Sequence, residues 1–293
     1  MVTCVRRIKQ RVGWFLTWVK LLPLLNRVWV CCYVPLSERI GSAQTPPVSA
    51  LPPNPPICPH SETTLIRLWP RRIVRCRVCR VAFQPAGAVR EEYVERYYRN
   101  PRTSYFTTDG EPNMHHPQIH SAFMRHCGLK IEGEGRCRLL EIGFANGTIL
   151  KYFHDLGWDV CGVEVSHWAV EYVHNRWGFR VYEGDVRDID LAAHTFDLVV
   201  LTMTVEHLQT PVAVLRRCVE ILCPGGMLFV TVPDSEADPK DYENIGHRWY
   251  FTPYAFQCLL SSLGLQDVQV YREQHDMKIA NLPILFGAGR KRE

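Results

Sequence analysis

The sequence predicts an α/β protein with a Rossmann-like, doubly wound sheet that is mostly parallel and has an antiparallel C-terminal edge. A small cysteine-containing segment precedes it. From residue 136 onward, short apolar runs alternate with amphipathic stretches, which is typical of parallel strands covered by helices on both faces. Acidic residues follow the first three apolar runs, Glu141, Glu164 and Asp185, at intervals of 23 and 21 residues. Each strand–helix unit therefore brings a carboxylate to the same edge of the sheet.

The chain divides into three regions. Residues 1–57 are an N-terminal extension that ends in a linker, because the seven prolines between residues 35 and 57 do not suit helices or strand ladders. Residues 58–100 are rich in Cys, His and Arg, and end in EEYVERYYRN, which has helical spacing. Residues 101–293 form the α/β domain with one or more helices ahead of its first strand.

Within the α/β domain the apolar spacing predicts the elements in order. Helices are expected near residues 116–128, 147–157, 167–177, 211–222 and 253–263. Strands are expected at RLLEIG, VCGVEV, FRVYEG, FDLVVLT and MLFVTVP, with two more near residues 266–272 and 279–286 that form the antiparallel edge.

Composition limits the class of protein. A hydrophobic content of 46% supports a real core, and the net charge of +4 belongs to residues 1–40, which carry seven Lys/Arg and one Glu. The 12 cysteines have no disulfide spacing, which favours a reducing, cytoplasmic compartment. Charged and turn-forming residues interrupt the apolar run in residues 12–34, which predicts no membrane span, but its tryptophans leave peripheral membrane contact through residues 1–34 open.

The loop in LLEIGFANGTIL follows the first strand, where nucleotide cofactors bind in such sheets. A dinucleotide loop requires G-x-G-x-x-G, but Ala145 and Thr148 stand at its second and third glycine positions. The loop matches the pattern E/D-x-G-x-G-x-G of S-adenosylmethionine sites better, through Glu141, Gly143, Ala145 and Gly147. A sulfonium cofactor needs no pyrophosphate cradle, and an acid at the strand end suits its positive charge.

Two further carboxylates fit an adenosine group. Glu164, followed by Val165, ends the second strand, where a carboxylate can accept hydrogen bonds from both ribose hydroxyls. Asp185 can accept from the adenine amine while Val186 packs on the ring. Each position alone also suits an ordinary exposed acid, and the regular spacing is what favours a binding role.

Three later segments, FDLVVLTMTVEHLQTP, LCPGGMLFVTVPD and GHRWYFTPYAFQCLLSSLGLQDVQV, complete an ordered set of motifs. Together with the loop they resemble the class I S-adenosylmethionine-dependent methyltransferases, over residues 136–272. The resemblance implies methyl transfer to a small-molecule acceptor. It also implies that the glycine loop lines the methionine part of the cofactor, that Thr202, Met203 and Thr204 flank the methyl group, and that Glu206 and His207 face the cleft.

Methyl transfer to a hydroxyl or protonated amine gains from a general base. His207 and His247 are the expected candidates, with Glu206 a weaker one. For both histidines a purely structural role, capping a turn or bonding in the core, remains open. Tyr98, Tyr105, His115 and His116 lie where these enzymes place a substrate lid, although simple packing explains them equally well.

The segment ICPHSETTLIRLWPRRIVRCRVCRVAF resembles a small zinc ribbon that precedes some of these methyltransferases. Cys76 and Cys79 have the spacing of a zinc knuckle. Ser61 stands where the second cysteine of the first pair is expected, so a Cys3His site needs Cys58 and His60, which are only two residues apart. A degenerate ribbon without metal, folded around Trp69, Val78 and Phe83, is the alternative.

The sequence also allows two other functions. A nicotinamide-dependent oxidoreductase could use a similar sheet, and a non-catalytic module could bind a partner through the ten arginines between residues 67 and 102. Those arginines lack interleaved aromatic platforms, so we expect a solvated face and no nucleic-acid contact. Nothing in the sequence selects the acceptor among sugars, quinone-like rings and lipids, the atom that is methylated, or the oligomeric state.

Overall fold

A computed structural model describes residues 58, 60, 62–67, 72–84, 106–107, 110–131, 137–272 and 283–293. Its helices are α1 (His115–His126), α2 (Thr148–Asp155), α3 (His167–Trp177), α4 (Pro211–Ile221) and α5 (Pro253–Ser261). Its strands are β1 (Thr63–Arg67), β2 (Ile73–Cys76), β3 (Ala82–Phe83), β4 (Arg138–Ile142), β5 (Asp159–Glu164), β6 (Arg180–Glu183), β7 (Phe196–Thr202), β8 (Leu222–Pro233), β9 (Trp249–Tyr250), β10 (Gln266–Arg272) and β11 (Ile284–Arg290).

The large sheet has seven strands in the order β10-β11-β8-β7-β4-β5-β6. Strands β4 to β8 run parallel, and β11 is antiparallel to both of its neighbours, β8 and β10. The predicted doubly wound sheet with antiparallel pairing at its C-terminal edge is therefore confirmed. The chain order reverses between β4 and β7, so the carboxyl ends of these strands border the crevice where such sheets bind ligands.

Helices cover both faces of this sheet. Successive residues of β4 point to opposite faces, so Leu139 packs with α1, α2 and α3 while Leu140 packs with α4 and α5. Both leucines are fully buried. This three-layer arrangement explains why the parallel strands read as continuous apolar runs.

A second, four-stranded sheet joins the Cys/His segment to the α/β domain. Its order is β1-β2-β3-β9, and β9 belongs to the segment that follows the large sheet's β8. A small core lies on this sheet, in which Ile73 and Ala82 pack against Tyr242 and Tyr250. The Cys/His segment therefore shares both a sheet and a core with the larger domain.

Some expectations differ from the structure or lie outside it. Strand β8 begins at Leu222, ahead of the predicted strand MLFVTVP, and its pairing with β7 shifts register between Phe196 and Leu198. Residues 1–57, Trp69, and the region 91–105 with Tyr98 and Tyr105 lie outside the described residues. Within the described ranges, no helix combines the length and apolarity that a bilayer crossing requires.

Candidate active site

The loop after β4 is a tight turn in which three residues adopt left-handed backbone angles: Gly143 (φ 74°), Ala145 (φ 49°) and Gly147 (φ 70°). A Cβ on Gly143 would lie 2.4 Å from Oγ1 of Thr204, and a Cβ on Gly147 would lie 2.7 Å from Val173. Both glycines are thus required by close packing as well as by backbone angle. Ala145 adopts the same conformation at a steric cost.

Glu141 is the penultimate residue of β4, and its side chain is almost fully buried. Its Oε2 atom has no hydrogen-bond partner among the described residues. Burial raises the pKa of this carboxyl well above its usual range. A buried carboxylate oxygen without a donor is costly, so this position suits a ligand that brings a positive charge or an N–H group.

The carboxylate of Glu164 fastens the glycine turn to the end of β5. Its Oε2 accepts a hydrogen bond from the backbone N–H of Ala145 (3.1 Å), and its Oε1 accepts from Val165 (2.8 Å) and Ser166 (3.1 Å). Ser166 caps α3 by accepting from the N–H of Ala169. One carboxylate therefore orders two neighbouring loops at the crevice. Val165 itself is exposed.

Asp185 and Val186 follow β6 and differ in their surroundings. Val186 is buried in the core. Asp185 is half-buried and forms a two-pronged ion pair with Arg187, whose Nε and Nη2 lie 2.9 Å and 2.6 Å from the carboxylate oxygens. The hydrogen bonds from Arg187 lower the pKa of Asp185. Arg187 is a partner that the sequence pattern did not indicate.

Thr202, Met203 and Thr204 lie at and just after the end of β7, directly beside the glycine turn. Met203 has a left-handed backbone (φ 49°), and its N–H donates to the carbonyl of Thr231 at 3.0 Å. The hydroxyl of Thr204 lies 3.0 Å from the carbonyl of Thr202 and 3.3 Å from that of Ile142. These contacts join the carboxyl ends of β4, β7 and β8.

Glu206 and His207 lie on the short 3₁₀ turn Val205–His207. Glu206 is fully buried, neither carboxylate oxygen has a hydrogen-bond partner among the described residues, and burial raises its pKa to about 7. His207 Nδ1 donates to the carbonyl of Gly246 at 2.9 Å, since a carbonyl only accepts. The neutral ring then carries its lone pair on Nε2, 3.8 Å from Glu206 Oε1.

The two histidines of the motifs come together. The rings of His207 and His247 meet edge to face, 4.8 Å apart. Ligand atoms of Glu206, His207 and His247 all lie within 4.8 Å of one another. Although 40% of the His207 side chain is exposed, burial of the ring and the nearby His247 lower its pKa to about 4.

His247 is held on both ring nitrogens. Nδ1 lies 2.6 Å from Oδ1 of Asp241, and Nε2 lies 2.9 Å from Nδ2 of Asn244, whose Oδ1 accepts from Gly246. Asp241 in turn accepts from the hydroxyl of Ser235 at 2.5 Å. The network places the His247 proton on Nδ1 and engages its lone pair.

Asp241 and Asn244 are site residues that the sequence reasoning missed. They lie in DPKDYENIGH, an acidic stretch that is typical of an exposed loop. Their role depends on the 3₁₀ helix Pro239–Glu243, which turns the buried Asp241 towards His247. The one sequence feature that could have indicated them is their position within six residues of His247, a histidine of the motifs.

The predicted metal ligands Cys58, His60, Cys76 and Cys79 also come together, with all ligand atoms within 4.8 Å of one another. Cys58 Sγ lies 3.4 Å from Cys76 Sγ, and Cys79 Sγ lies 3.4 Å from His60 Nδ1. The two-residue spacing of Cys58 and His60 is accommodated because His60 has a left-handed backbone (φ 53°). Three thiols and an imidazole at this separation match the donor set of tetrahedral zinc.

Comparison with known proteins identifies the family. A family described as Methyltransferase domain matches residues 91–270. The ubiquinone biosynthesis O-methyltransferase of Cereibacter sphaeroides (strain ATCC 17025 / ATH 2.4.3) is 30% identical over 172 residues, which are 52% of this chain and 68% of the relative. The enzyme of that name from Xanthomonas axonopodis pv. citri is 27% identical over 114 residues, 37% of this chain and 47% of the relative.

Among solved structures, the phospholethanolamine N-methyltransferase 2 of Haemonchus contortus, in complex with phosphomonomethylethanolamine and S-adenosylhomocysteine, superposes with a TM-score of 0.50. It is 16% identical, and the match covers 60% of this chain and 53% of that one. At this identity the match speaks for the fold alone.

The chain belongs to the class I S-adenosylmethionine-dependent methyltransferases. It is a methyltransferase that uses S-adenosylmethionine, as the sequence motifs predicted. The comparisons support neither the nicotinamide-dependent oxidoreductase nor the non-catalytic module.

Proposed function

We propose that this methyltransferase transfers a methyl group to a hydroxyl of a small-molecule acceptor, with His207 as general base. The observation that carries the proposal is the His207 ring, whose Nδ1–H is engaged by Gly246 and whose Nε2 carries the lone pair. Among the described residues no hydrogen bond occupies that Nε2. The O-methyltransferase names of the bacterial relatives support oxygen as the methylated atom.

The residues around the glycine turn fit the cofactor. The unpartnered Oε2 of Glu141 suits the ammonium group of its methionine part, and Gly143, Ala145 and Gly147 leave the backbone open to it. Glu164 and Val165 are assigned to the ribose, Asp185 and Val186 to the adenine, and Thr202 and Met203 to the region of the reacting methyl. When bound, S-adenosylmethionine supplies a methyl group on a sulfonium with a good thioether leaving group.

The base role belongs to His207 more than to His247. The lone pair of His247 already accepts from Asn244, and its proton already binds Asp241. In the proposed step Nε2 of His207 would accept the proton of the acceptor hydroxyl. Glu206, whose pKa is raised to about 7 by burial, stabilises the imidazolium that forms. His247 fixes the orientation of the His207 ring.

Replacement of His207 tests the base assignment. We expect His207→Ala to lower kcat by about 10² to 10⁴-fold, the range of a lost general base. Because a base acts in the transition state, S-adenosylhomocysteine affinity should stay within about twofold of wild type. His174→Ala, at an exposed site on α3, is the matched control. A His207→Ala enzyme with a wild-type rate would contradict the role.

The acceptor class requires a panel. Phenols, catechols, sugars and amines are each incubated with the enzyme and S-adenosylmethionine, and methylated products are identified by mass spectrometry. Products methylated on oxygen support the proposal, and products methylated only on nitrogen or carbon overturn it.

Glu164→Gln tests the cofactor side. The side-chain amide keeps one acceptor oxygen but turns its N–H₂ group towards at least one of the three backbone N–H donors, so we expect both the turn and ribose recognition to be weakened. S-adenosylhomocysteine binding, measured by calorimetry, is expected to weaken by more than about tenfold, on the scale of a lost charged hydrogen bond. Unchanged affinity would remove Glu164 from the cofactor site.

We further propose that residues 58–100 form a zinc-ribbon-like unit ahead of a methyltransferase domain spanning residues 101–293, with zinc held by Cys58, His60, Cys76 and Cys79. The clustering of these four side chains supports it. Metal analysis of the purified protein tests it. Near-stoichiometric zinc that is lost in Cys79→Ser is the expected result, whereas a metal-free wild type with the same fold indicates a degenerate ribbon.

We propose that the protein is located in the cytoplasm. The nine described cysteines are all free thiols, which suits a reducing cytoplasmic compartment. Peripheral membrane contact through residues 1–34 is testable by sedimentation with anionic vesicles, against a variant that lacks these residues. Equal sedimentation of both proteins would contradict that contact.

A further inference from the structure

The Cys/His module, defined here as β1, β2, β3, Cys58, His60 and residues 77–84, lies directly behind the acceptor side of the active site. Strand β3 pairs with β9 through Ala82↔Tyr250 and Phe83↔Trp249. Strand β9 begins two residues after His247. Part of the wall of the site is therefore built by a segment more than 160 residues away in sequence.

Trp249 links the Cys/His cluster to the turn that carries His207. Its ring lies 5.9 Å from that of His60 and 5.5 Å from that of Phe83. Its Nε1–H donates to the carbonyl of Leu208 at 2.7 Å. One side chain thus contacts a candidate metal ligand and also holds the residue next to His207.

Gln84 forms a second link, to His247. Its Nε2 lies 2.5 Å from the His247 carbonyl and 3.0 Å from the hydroxyl of Tyr250, and its backbone N–H donates to the carbonyl of Arg248. The carbonyl of His247 only accepts, so the amide must present its N–H₂ group to it. The position of the His247 backbone depends on this donor.

The segment between β8 and β9 is also buried by the module. Tyr242, next to Asp241, packs with Ile73 and Ala82 and accepts a hydrogen bond from Arg75 at 2.8 Å. The Asp241–His247 pair therefore lies between two tyrosines, Tyr242 and Tyr250, that bury themselves against the module. By contrast, the side chains of Glu141 and Glu164 contact β4, β5 and their loops.

We propose that the Cys/His module is part of the acceptor site, and that metal binding to the module keeps His207 and His247 ordered. Trp249 and Gln84 are the positioning residues that connect the module to these histidines. The metal ligands are Cys58, His60, Cys76 and Cys79. This inference rests on the proposed zinc site and on the base role of His207. Short strands with a core of four residues gain much of their order from a bound metal. Metal loss then loosens the acceptor side and leaves the cofactor side intact.

The experiment compares zinc-loaded and chelator-treated wild-type protein with Cys79→Ser, Trp249→Phe and Gln84→Glu. Trp249→Phe keeps an aromatic ring but removes the N–H donor to Leu208 together with part of the indole, and Gln84→Glu keeps the shape and removes the donor to His247. Cys223→Ala is the control, because Cys223 lies far from the module in the chain and its thiol donates a hydrogen bond to the carbonyl of His194. Each protein is measured for zinc content, S-adenosylhomocysteine affinity, hydrogen exchange and acceptor kinetics.

Metal removal and Cys79→Ser are expected to raise hydrogen exchange in residues 204–210 and 241–252 and to lower kcat/KM for the acceptor by about tenfold or more, the scale on which outer-shell partners act. S-adenosylhomocysteine affinity is expected to stay within about twofold of wild type, because the cofactor residues are separate from the acceptor side of the site. Trp249→Phe and Gln84→Glu keep their zinc and lower kcat at unchanged cofactor affinity. Cys223→Ala matches wild type.

Three outcomes overturn the inference: unchanged exchange and kinetics after metal loss, a parallel fall in cofactor affinity that indicates general destabilisation, and wild-type kinetics in both Trp249→Phe and Gln84→Glu. If no hydroxyl acceptor is methylated, the proposed function fails on its own. Zinc content, cofactor affinity and hydrogen exchange still decide the coupling in that case.

Discussion

At the scale of single residues, the site combines backbone strain with buried charge. Ala145 takes a left-handed backbone where the motif expects glycine, and Glu206 is buried without a hydrogen-bond partner among the described residues. Both features lower stability, and both lie beside the crevice. Strain and unpaired charge of this kind concentrate at functional sites.

Ala145→Gly is expected to stabilise the protein. A left-handed backbone costs a non-glycine residue roughly 1–2 kcal/mol, and the greater freedom of unfolded glycine offsets about 0.5–1 kcal/mol. The net gain of up to about 1.5 kcal/mol is measurable as a higher urea midpoint. Ala237→Gly, in an exposed turn whose backbone is not left-handed, is the control and should show no gain. Equal loss of stability in both variants would contradict the strain.

Glu206→Gln is expected to stabilise the protein at pH 8 but not at pH 4. The folded-state pKa of Glu206, about 7, lies above its ordinary value of 4.5. The folded protein therefore binds this proton more tightly, and the associated stability is lost as pH rises through the range from 4.5 to 7. The variant escapes that loss, so its melting temperature should exceed that of wild type increasingly across this range. A difference that does not change with pH would argue against a buried carboxyl.

At the scale of elements, β11 is positioned by contact with α5. Gly287 lies under this helix, and a Cβ there would be 2.4 Å from Cδ1 of Leu260 and 2.6 Å from Cε1 of Phe256. The antiparallel insertion of β11 thus depends on a residue without a side chain. The pattern ILFGAGR is typical of a strand, but it does not indicate which strands β11 pairs with.

Gly287→Ala is expected to cost about 1–3 kcal/mol, the range for overpacking a close contact. Chemical denaturation measures the loss. In a Leu260→Ala background the added methyl group has room, so the same change should cost less, which a double-mutant cycle detects. An equal cost in both backgrounds would place the strain elsewhere.

At the scale of the whole molecule, cofactor binding is linked to stability. S-adenosylhomocysteine at about 100 times its dissociation constant should stabilise the folded protein by about 2.7 kcal/mol. A rise of several degrees in melting temperature is the expected readout, since about 2–4 °C accompanies each kcal/mol in a domain of this size. NADH serves as the control ligand and should produce no rise. The reverse pattern would contradict the assignment of the cofactor site.

The sequence predicted the large sheet well because its signals are local. The expected helices at 167–177 and 211–222 correspond to α3 and α4, within one residue at each end, and the strand expected near 266–272 is β10. The strand expected at 279–286 begins at Ile284 in the described residues, so that prediction was displaced. Periodicity fixes which residues form an element but sets its boundaries less closely.

By itself the sequence determined the α/β class, the methyltransferase family and the carboxylates at the strand ends, since these depend on short motifs and on apolar periodicity. Only the tertiary structure decided which histidine keeps a free lone pair, because Asp241 and Asn244 engage His247 while Gly246 orients His207. The tertiary structure also joined β3 to β9. Such pairings connect residues more than 160 positions apart, and backbone hydrogen bonds between distant strands leave no local pattern in the chain.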